Sequence, residues 1–381
     1  MNKKGIIFIR NSNFQFDSRM QRAANTALKL GINVIVLNWI RDKSQNHPEV
    51  IKLANGVVGT KYFYKLAPFG KGLKNIVNLV QFNRWIYHQL RGLRNEYDIL
   101  HVCDLDVVLS AYLISIIYNK KIVYDIFDFF AHTHTMPLLL KKIVELLEYK
   151  IISLVDFVIV CNEVRVILIE KANPKNCIVI HNTPDIHISV QPPKIINGDE
   201  NVFRIAYTGT LAPAGRLLFE ISQQASKHKN IEIHIAGIGP LDEYFTKMAQ
   251  EHANLFYYGH ILIEQALQLE SECSLLFATY DPTIDINKYS APNKVSEAMA
   301  LKKPIIVCRG TGADEIVQHH EMGLVIDYDA DEFWKAASFL SDSKEVCAKM
   351  GINGRKAYEE LYSWEIMEGR LTKLYNSFLT S

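Results

Sequence analysis

The stretch YSAPNKVSEAMALKKPIIV, residues 289–307, sets a helix directly before a strand. Ser290 ahead of an early Pro292 reads as a helix start, and Leu301-Lys302-Lys303-Pro304 as its stop. The run PIIV that follows is apolar and β-branched, as a buried strand should be. A helix leading straight into a buried strand is one step of a parallel, doubly wound sheet. Lys294 and Glu297 lie three residues apart on this helix and admit two readings. As a solvated pair with the lysine first, they add only about 0.2–0.5 kcal/mol. As ligand groups, they sit where a helix start offers free N–H groups and positive potential to a phosphate. Lys294 would add charge, and the Glu297 carboxylate can accept from two vicinal sugar hydroxyls.

The same alternation extends in both directions. FRIAYTGT (203–210), IEIHIAGIGP (231–240), LFYYGHI (255–261), SLLFATY (274–280), PIIVCR (304–309) and GLVIDY (323–328) read as strands, with helical patterns between them, one near Arg216 to Lys227. Upstream, GIIFIR (5–10), NVIVLNW (33–39), DILHVCD (98–104), KIVYDIFD (121–128), DFVIVCN (156–162) and CIVIHNTPD (177–185) repeat the pattern. Helices are expected at Ser18 to Leu30, Asp106 to Tyr118 and Pro137 to Leu154. Residues 189–201, SVQPPKIINGDEN, lack periodicity and read as a linker. The fold class is therefore α/β, two consecutive Rossmann-like halves spanning 1–188 and 200–364. Ligands of such sheets bind at the carboxyl ends of strands. The loops Asn11–Asp17, Gly209–Gly215, Gly237–Pro240, Tyr289–Lys294 and Gly310–Gly312 lie there, with glycines where a backbone would approach a ligand closely.

Composition narrows the classes. At 381 residues, 49% hydrophobic and 22% charged, the chain is globular. Six single cysteines, several inside strand-like runs, suit reduced thiols in the cytoplasm rather than disulfides or zinc. No signal peptide or membrane-spanning run is read. A net charge of +1 argues against nucleic acid, but it is unevenly spread. No acidic residue falls between Glu49 and Glu96, whereas Lys52, Lys61, Lys65, Lys71, Lys74, Arg84, Arg91 and Arg94 do. Within 74–94 a basic amphipathic helix is expected, with Arg84, His88 and Arg91 marking one face and Trp85 and Tyr87 near the boundary; Arg84, Trp85, Arg91 and Arg94 are the membrane candidates. It could lie on an anionic membrane or pack on the sheet with its arginines in water.

GTLAPAGR (209–216), IEIHIAGIGPLDEY (231–244), APNKVSEAMALKKPII (291–306), GADEIV (312–317) and GLVIDYD (323–329) together resemble the nucleotide-sugar-binding half of retaining GT-B glycosyltransferases of family four. DSRMQRAANTALKLGINVIVL (17–37), HVCD (101–104) and VYDIFD (123–128) resemble its acceptor half. The resemblance implies a GT-B fold whose two Rossmann-like sheets face a central cleft, with a last helix (365–381) packing back on the first domain. It implies a UDP- or GDP-sugar donor and a glycan acceptor, lipid-linked, in bacterial surface polysaccharide assembly at the inner face of the cell membrane. Glu297 matches the ribose clamp, and Arg216 and Lys294 match the cations on the donor diphosphate. Gly209, Thr210, Gly237, Gly239, Tyr289, Ser290, Ala291 and Asn293 line the donor loops. Where the family often has an earlier glutamate eight positions before Glu297, this chain has Tyr289. Where it often has Asp-x-His-Glu, this chain has Asp125-Ile126-Phe127-Asp128, so Asp128, Asn13, Asp17, Asp104, His132 and His134 are the acceptor-side candidates, with Asp128 provisionally catalytic. Cations at the phosphate would stabilise the leaving diphosphate, which itself can assist the acceptor proton. No metal is expected: Asp104-Leu105-Asp106 looks like a DxD motif but sits at a helix start. A nucleotide-sugar epimerase and a non-catalytic sugar-nucleotide-binding protein are the alternative functions.

Overall fold

The computed structural model describes residues 5–41, 48–67, 75–133, 136–186, 194–196, 202–290 and 292–379. The chain forms two compact units, Met1–His181 with Met367–Ser381, and Asn182–Ile366. Of the segment read as a linker, residues 194–196 are described, and the Ile195 and Ile196 N–H groups donate to Glu272.

Unit 1 contains β1 (Gly5–Arg10), α1 (Ser18–Lys29), β2 (Asn33–Ile40), β3 (Val50–Leu53), β4 (Gly56–Tyr64), α2 (Ile76–Gly92), β5 (Ile99–Cys103), α3 (Leu105–Ile117), β6 (Lys121–Asp125), α4 (Phe130–Thr133), α5 (Leu138–Leu154), β7 (Phe157–Val160), α6 (Glu163–Ile169) and β8 (Cys177–Val179). Its sheet order is β3-β4-β2-β1-β5-β6-β7-β8, parallel except for the β3–β4 pair. Ile6 through Ile9 are almost wholly buried, because a parallel strand is covered on both faces and so reads as an unbroken apolar run. The β3–β4 hairpin was not anticipated. Its signal was Asn55-Gly56 between short β-branched runs, and Gly56 takes a φ of 154°.

Unit 2 contains β9 (Phe203–Thr210), α7 (Leu218–Gln223), β10 (Ile231–Ile238), α8 (Asp242–Glu251), β11 (Leu255–Tyr257), α9 (Ile263–Ser271), β12 (Leu275–Ala278), α10 (Asn293–Leu301), β13 (Ile305–Cys308), α11 (Ala313–His319), β14 (Gly323–Ile326), α12 (Ala330–Asp342) and α13 (Lys344–Ala357). The strands are parallel in the order β11-β10-β9-β12-β13-β14. Two structural corrections concern helix starts. α7 begins at Leu218, leaving Arg216 in the preceding loop. α10 begins at Asn293 with Pro292 at the capping position, and the Ser290 hydroxyl donates to the Thr311 carbonyl instead of capping. Proline disfavours helical backbone in the residue before it, so the helix does not start ahead of Pro292, whose own ψ of 126° is extended.

The last helix, α14 (Trp364–Leu379), runs out of unit 2 and ends in unit 1. There Met367, Leu371, Leu374 and Tyr375 are buried. The Tyr375 hydroxyl lies 2.9 Å from His101 Nδ1, and His101 Nε2 lies 3.3 Å from Asp125. Arg19 of α1 grips the same carboxylate at 2.6 and 3.3 Å. Burial works against the ionised Asp125, but Arg19 and His101 outweigh it and hold its pKa below the usual range. Cys103 lies with His101 and Asp125, but a guanidinium already bonded to the carboxylate leaves this set a poor cation site. Arg19→Ala would strand a buried carboxylate, and denaturant unfolding should show a loss of about 3–5 kcal/mol.

Candidate functional site

In an open parallel sheet the strand order reverses direction once, and loops diverge there to leave a crevice. In unit 2 the reversal falls between β9 and β12. The loop after β9 is bound to the end of β12: Thr279 Oγ1 donates to the Arg216 carbonyl at 2.6 Å, and the Asp281 N–H to that of Gly215 at 3.2 Å. Gly215 and Leu217, flanking Arg216, both have positive φ, 77° and 57°. This turn lays the Arg216 guanidinium 3.7 Å from the centre of the Tyr280 ring. Arg216 Nη1 is buried and has no hydrogen-bond partner among the described residues. Such a donor is suited to an incoming anion.

Lys294, in the first turn of α10, is buried rather than solvated, and so is Glu297. Lys294 Nζ bonds to Glu297 and lies 2.9 Å from Glu270 Oε1. Glu270, on the last turn of α9, is fully buried and also accepts from the Thr208 hydroxyl of β9. Burial disfavours the Lys294 charge, but Glu270 and Glu297 outweigh it and raise its pKa. Burial, reinforced by Glu297, pushes Glu270 up to about 7, against the opposing pull of Lys294 and Thr208. Glu270 and Tyr280 were not singled out from sequence. Glu270 looked like one polar residue in the helical run LQLESE, and only the fold brings it to Lys294.

The remaining donor-loop residues divide by role. A Cβ on Gly237 would meet the Gly209 carbonyl oxygen at 1.8 Å, and one on Gly239 the Leu211 oxygen at 2.4 Å. These two glycines let β9 and β10 approach, a packing reason independent of any ligand. Gly209 and Thr210 lie at the exposed end of β9, where a Cβ on Gly209 would touch the Tyr207 ring and the Tyr207 hydroxyl donates to the Thr210 carbonyl at 2.9 Å. Asn293 accepts from Asn182 at 2.8 Å. Tyr289 ends a short 3-10 turn and is half-buried. Ala291 lies outside the described residues.

In unit 1 the reversal falls between β1 and β5. Arg10, at the end of β1, bonds to Asp17, lies 3.9 Å from Asp104 and stacks 3.7 Å over Phe127. Asp104, directly after β5, has a φ of 71°, uncommon for a residue with a side chain. Its Oδ1 accepts from the Phe127 and Asp128 N–H groups at 2.9 and 3.3 Å. Burial raises its pKa to about 7; Arg10 pulls down, while Asp106 and Asp128 push up. Asp106 accepts from Asn11, and Asn11 accepts from Arg41. Arg165 donates to Asp128 at 3.0 Å. Asn13 and Asp17 have local tasks, accepting from the Gln15 and Met20 N–H groups. His132 packs edge-on to Phe129, and His134 lies outside the described residues. The arginines Arg10, Arg41 and Arg165 were missed because each lies on a different element. Of the residues placed on a membrane, Arg84 and Arg91 are exposed on α2 and Arg94 just beyond it. Trp85 instead packs with Phe63 and Phe82.

Because the folded pKa of Asp104 exceeds that of an unfolded aspartate, its proton stabilises the fold at low pH. That stabilisation is lost as pH rises from about 4 through 7. Asp104→Asn keeps the acceptor and removes the titration, so unfolding free energies measured from pH 4 to 8 should fall less steeply than in the parent.

Residues 203–343 match the sequence family described as Glycosyl transferases group 1. A provisionally named glycosyltransferase, YtcC of Bacillus subtilis (strain 168), is 32% identical over 128 residues, 32% of this chain and 31% of that protein. The chain thus spans about a third of that curated relative. Sucrose-phosphate synthase from Thermosynechococcus elongatus has a similar structure, with a TM-score of 0.75 at 15% identity, covering 99% of this chain and 100% of that one. Anabaena HepE in complex with UDP and glucose gives 0.71 at 14%, covering 98% and 100%. At these identities the likeness concerns the fold. The chain has the GT-B fold, and within it residues 203–343 are similar to the family described as Glycosyl transferases group 1.

Proposed function

We propose that this chain is a retaining glycosyltransferase of family four, hexosyl or N-acetylhexosaminyl in type. It moves a sugar from a UDP- or GDP-linked donor to a lipid-linked glycan in bacterial surface polysaccharide assembly. The observation that carries the reading is the pairing of Arg216, lying flat on Tyr280, with buried Lys294 and Glu297, all at the β9/β12 reversal of a glycosyl transferases group 1 domain. That HepE has been captured with UDP and glucose supports a nucleoside diphosphate at this edge.

The mechanism is electrostatic. As the glycosidic bond to the diphosphate breaks, negative charge grows on the leaving phosphate. Arg216 and Lys294 stabilise that charge more than they stabilise the bound donor. Glu297 orients the nucleotide by accepting from the ribose hydroxyls. The leaving phosphate takes the acceptor proton, so no strong protein base is required. Asp104 and Asp128, with Arg10 beside them, position the acceptor on unit 1. No divalent metal is needed when two protein cations hold the diphosphate.

Calorimetry with UDP and GDP tests this reading directly. One nucleotide should bind equally with and without EDTA, and Glu297→Ala should weaken it tenfold or more. Arg216→Ala should lower kcat by about 10²–10³ in a transfer assay. Retention of binding in Glu297→Ala would refute the clamp. Conversion of the sugar nucleotide to an isomer without an acceptor would indicate an epimerase.

The membrane part of the proposal rests on unit 1. No helix of the described residues is long and apolar enough to cross a membrane. α5 nevertheless exposes Leu138, Leu139, Ile143 and Leu146 at 54–74%, with Lys142 and Lys150 beside them. α2 exposes Val77 and Val80 on the side that carries Arg84, His88 and Arg91. Apolar side chains mixed with cations suit the surface of an anionic bilayer on the cytoplasmic side. Cosedimentation with vesicles containing phosphatidylglycerol should fall severalfold when Arg84, Arg91 and Arg94 become glutamate, and further with Leu139 and Ile143 replaced by serine.

A further inference from the structure

The buried cluster around Lys294 carries a charge imbalance. Two carboxylates, Glu270 and Glu297, share one ammonium. With all three ionised, one negative charge is left over in a place closed to water. A nucleoside diphosphate brings more negative charge to the start of α10, so the excess charge of this cluster works against it.

Glu270 can remove that excess. Its Oε1 is engaged by Thr208 and Lys294, whereas Oε2 is buried and has no partner among the described residues. A proton placed on Oε2 breaks no existing bond. Glu297 is different, since its Oε2 bonds Lys294 and the clamp role requires it to accept from a ribose. The charged groups facing Glu270 are Lys294 and Glu297 of α10, β9 contributes the neutral Thr208 hydroxyl, and the buried Cys273 thiol just after α9 is held protonated by burial and by Glu270 itself.

We propose that Glu270 is a positioning residue that takes up a proton on Oε2 as the donor diphosphate binds, so that the Lys294–Glu270–Glu297 cluster sets no excess negative charge against the phosphate. This rests on the donor reading given above. The balance is simple: one proton passes from solvent to the carboxylate, and no covalent bond to substrate forms. Its readiness is consistent with a carboxyl that burial already pushes up to about 7. Above neutrality, affinity for the nucleotide then falls as pH rises, because the proton must be drawn from increasingly dilute supply.

The test is titration calorimetry of the whole chain with UDP and GDP at pH 8, in buffers of different ionisation enthalpy. The parent protein should take up about one proton per nucleotide bound. Glu270→Gln, which keeps Oε1 and has no carboxyl to titrate, should take up less. Its affinity should change little between pH 7 and 9, while that of the parent weakens about tenfold per unit at the top of the range. The nucleotide's own protonation is common to both proteins and cancels. If Glu270→Gln does not fold, Thr208→Val serves instead: losing a donor to the carboxylate should move the pH midpoint upward. Binding without proton uptake, equal uptake in Glu270→Gln, or an unmoved midpoint in Thr208→Val overturns this proposal and leaves the donor site standing. Failure of the parent to bind either nucleotide at any pH overturns both.

Discussion

Parallel strands joined by right-handed crossovers impose one constraint from which the rest of this molecule follows. Every turn from a strand into its helix must leave at the same edge of the sheet, and only where the strand order reverses do two such turns diverge. Unit 2 reverses between β9 and β12, so the Arg216 turn and the Tyr289–Lys294 segment emerge as neighbours. Unit 1 reverses between β1 and β5, and Arg10 and Asp104 emerge there. Chemistry collects at these places because the topology leaves room for it nowhere else along that edge.

Both edges are held by charges that water does not reach freely. In unit 1, Arg19 stands between α1 and β6 and neutralises Asp125, which also fixes His101 and, through it, Tyr375 of the last helix. In unit 2, Lys294 bonds to two glutamates at once and offsets the charge of one of them. A buried ion pair contributes little net stability compared with a well-packed apolar core, yet removing one partner is severe. Such groups therefore fix a unique geometry more than they strengthen the fold. That trade suits an edge whose side chains must be in position before a ligand arrives.

The strand-helix alternation, the two halves and the end of α10 were legible in the sequence because periodicity, apolar runs and helix-stop residues report structure locally. The β3–β4 hairpin was not, since β3 is short, both strands are half-exposed and only Asn55-Gly56 marked it. Arg216 and Lys294 could be singled out because each lies in a local pattern of turn and helix start. Glu270, Arg10, Arg41 and Tyr280 could not. Each acquires its setting from a partner distant in sequence, as Glu270 does from Thr208, 62 positions away. Ser290 misled for a local reason: serine caps helices well, but Pro292 two residues later delays the helix and leaves the hydroxyl to Thr311.

The last helix bears on how the chain is made. Residues 367–379 contribute buried side chains to unit 1, yet they leave the ribosome after all of unit 2. Unit 2 is contiguous up to that point and can complete itself during synthesis, whereas unit 1 stays open until residues 367–379 have followed, with His101 lacking its Tyr375 partner. A nascent chain thus carries a finished second sheet and an unfinished first one. Residence on the ribosome, or shelter by a chaperone, matters most during the interval in which that gap is exposed.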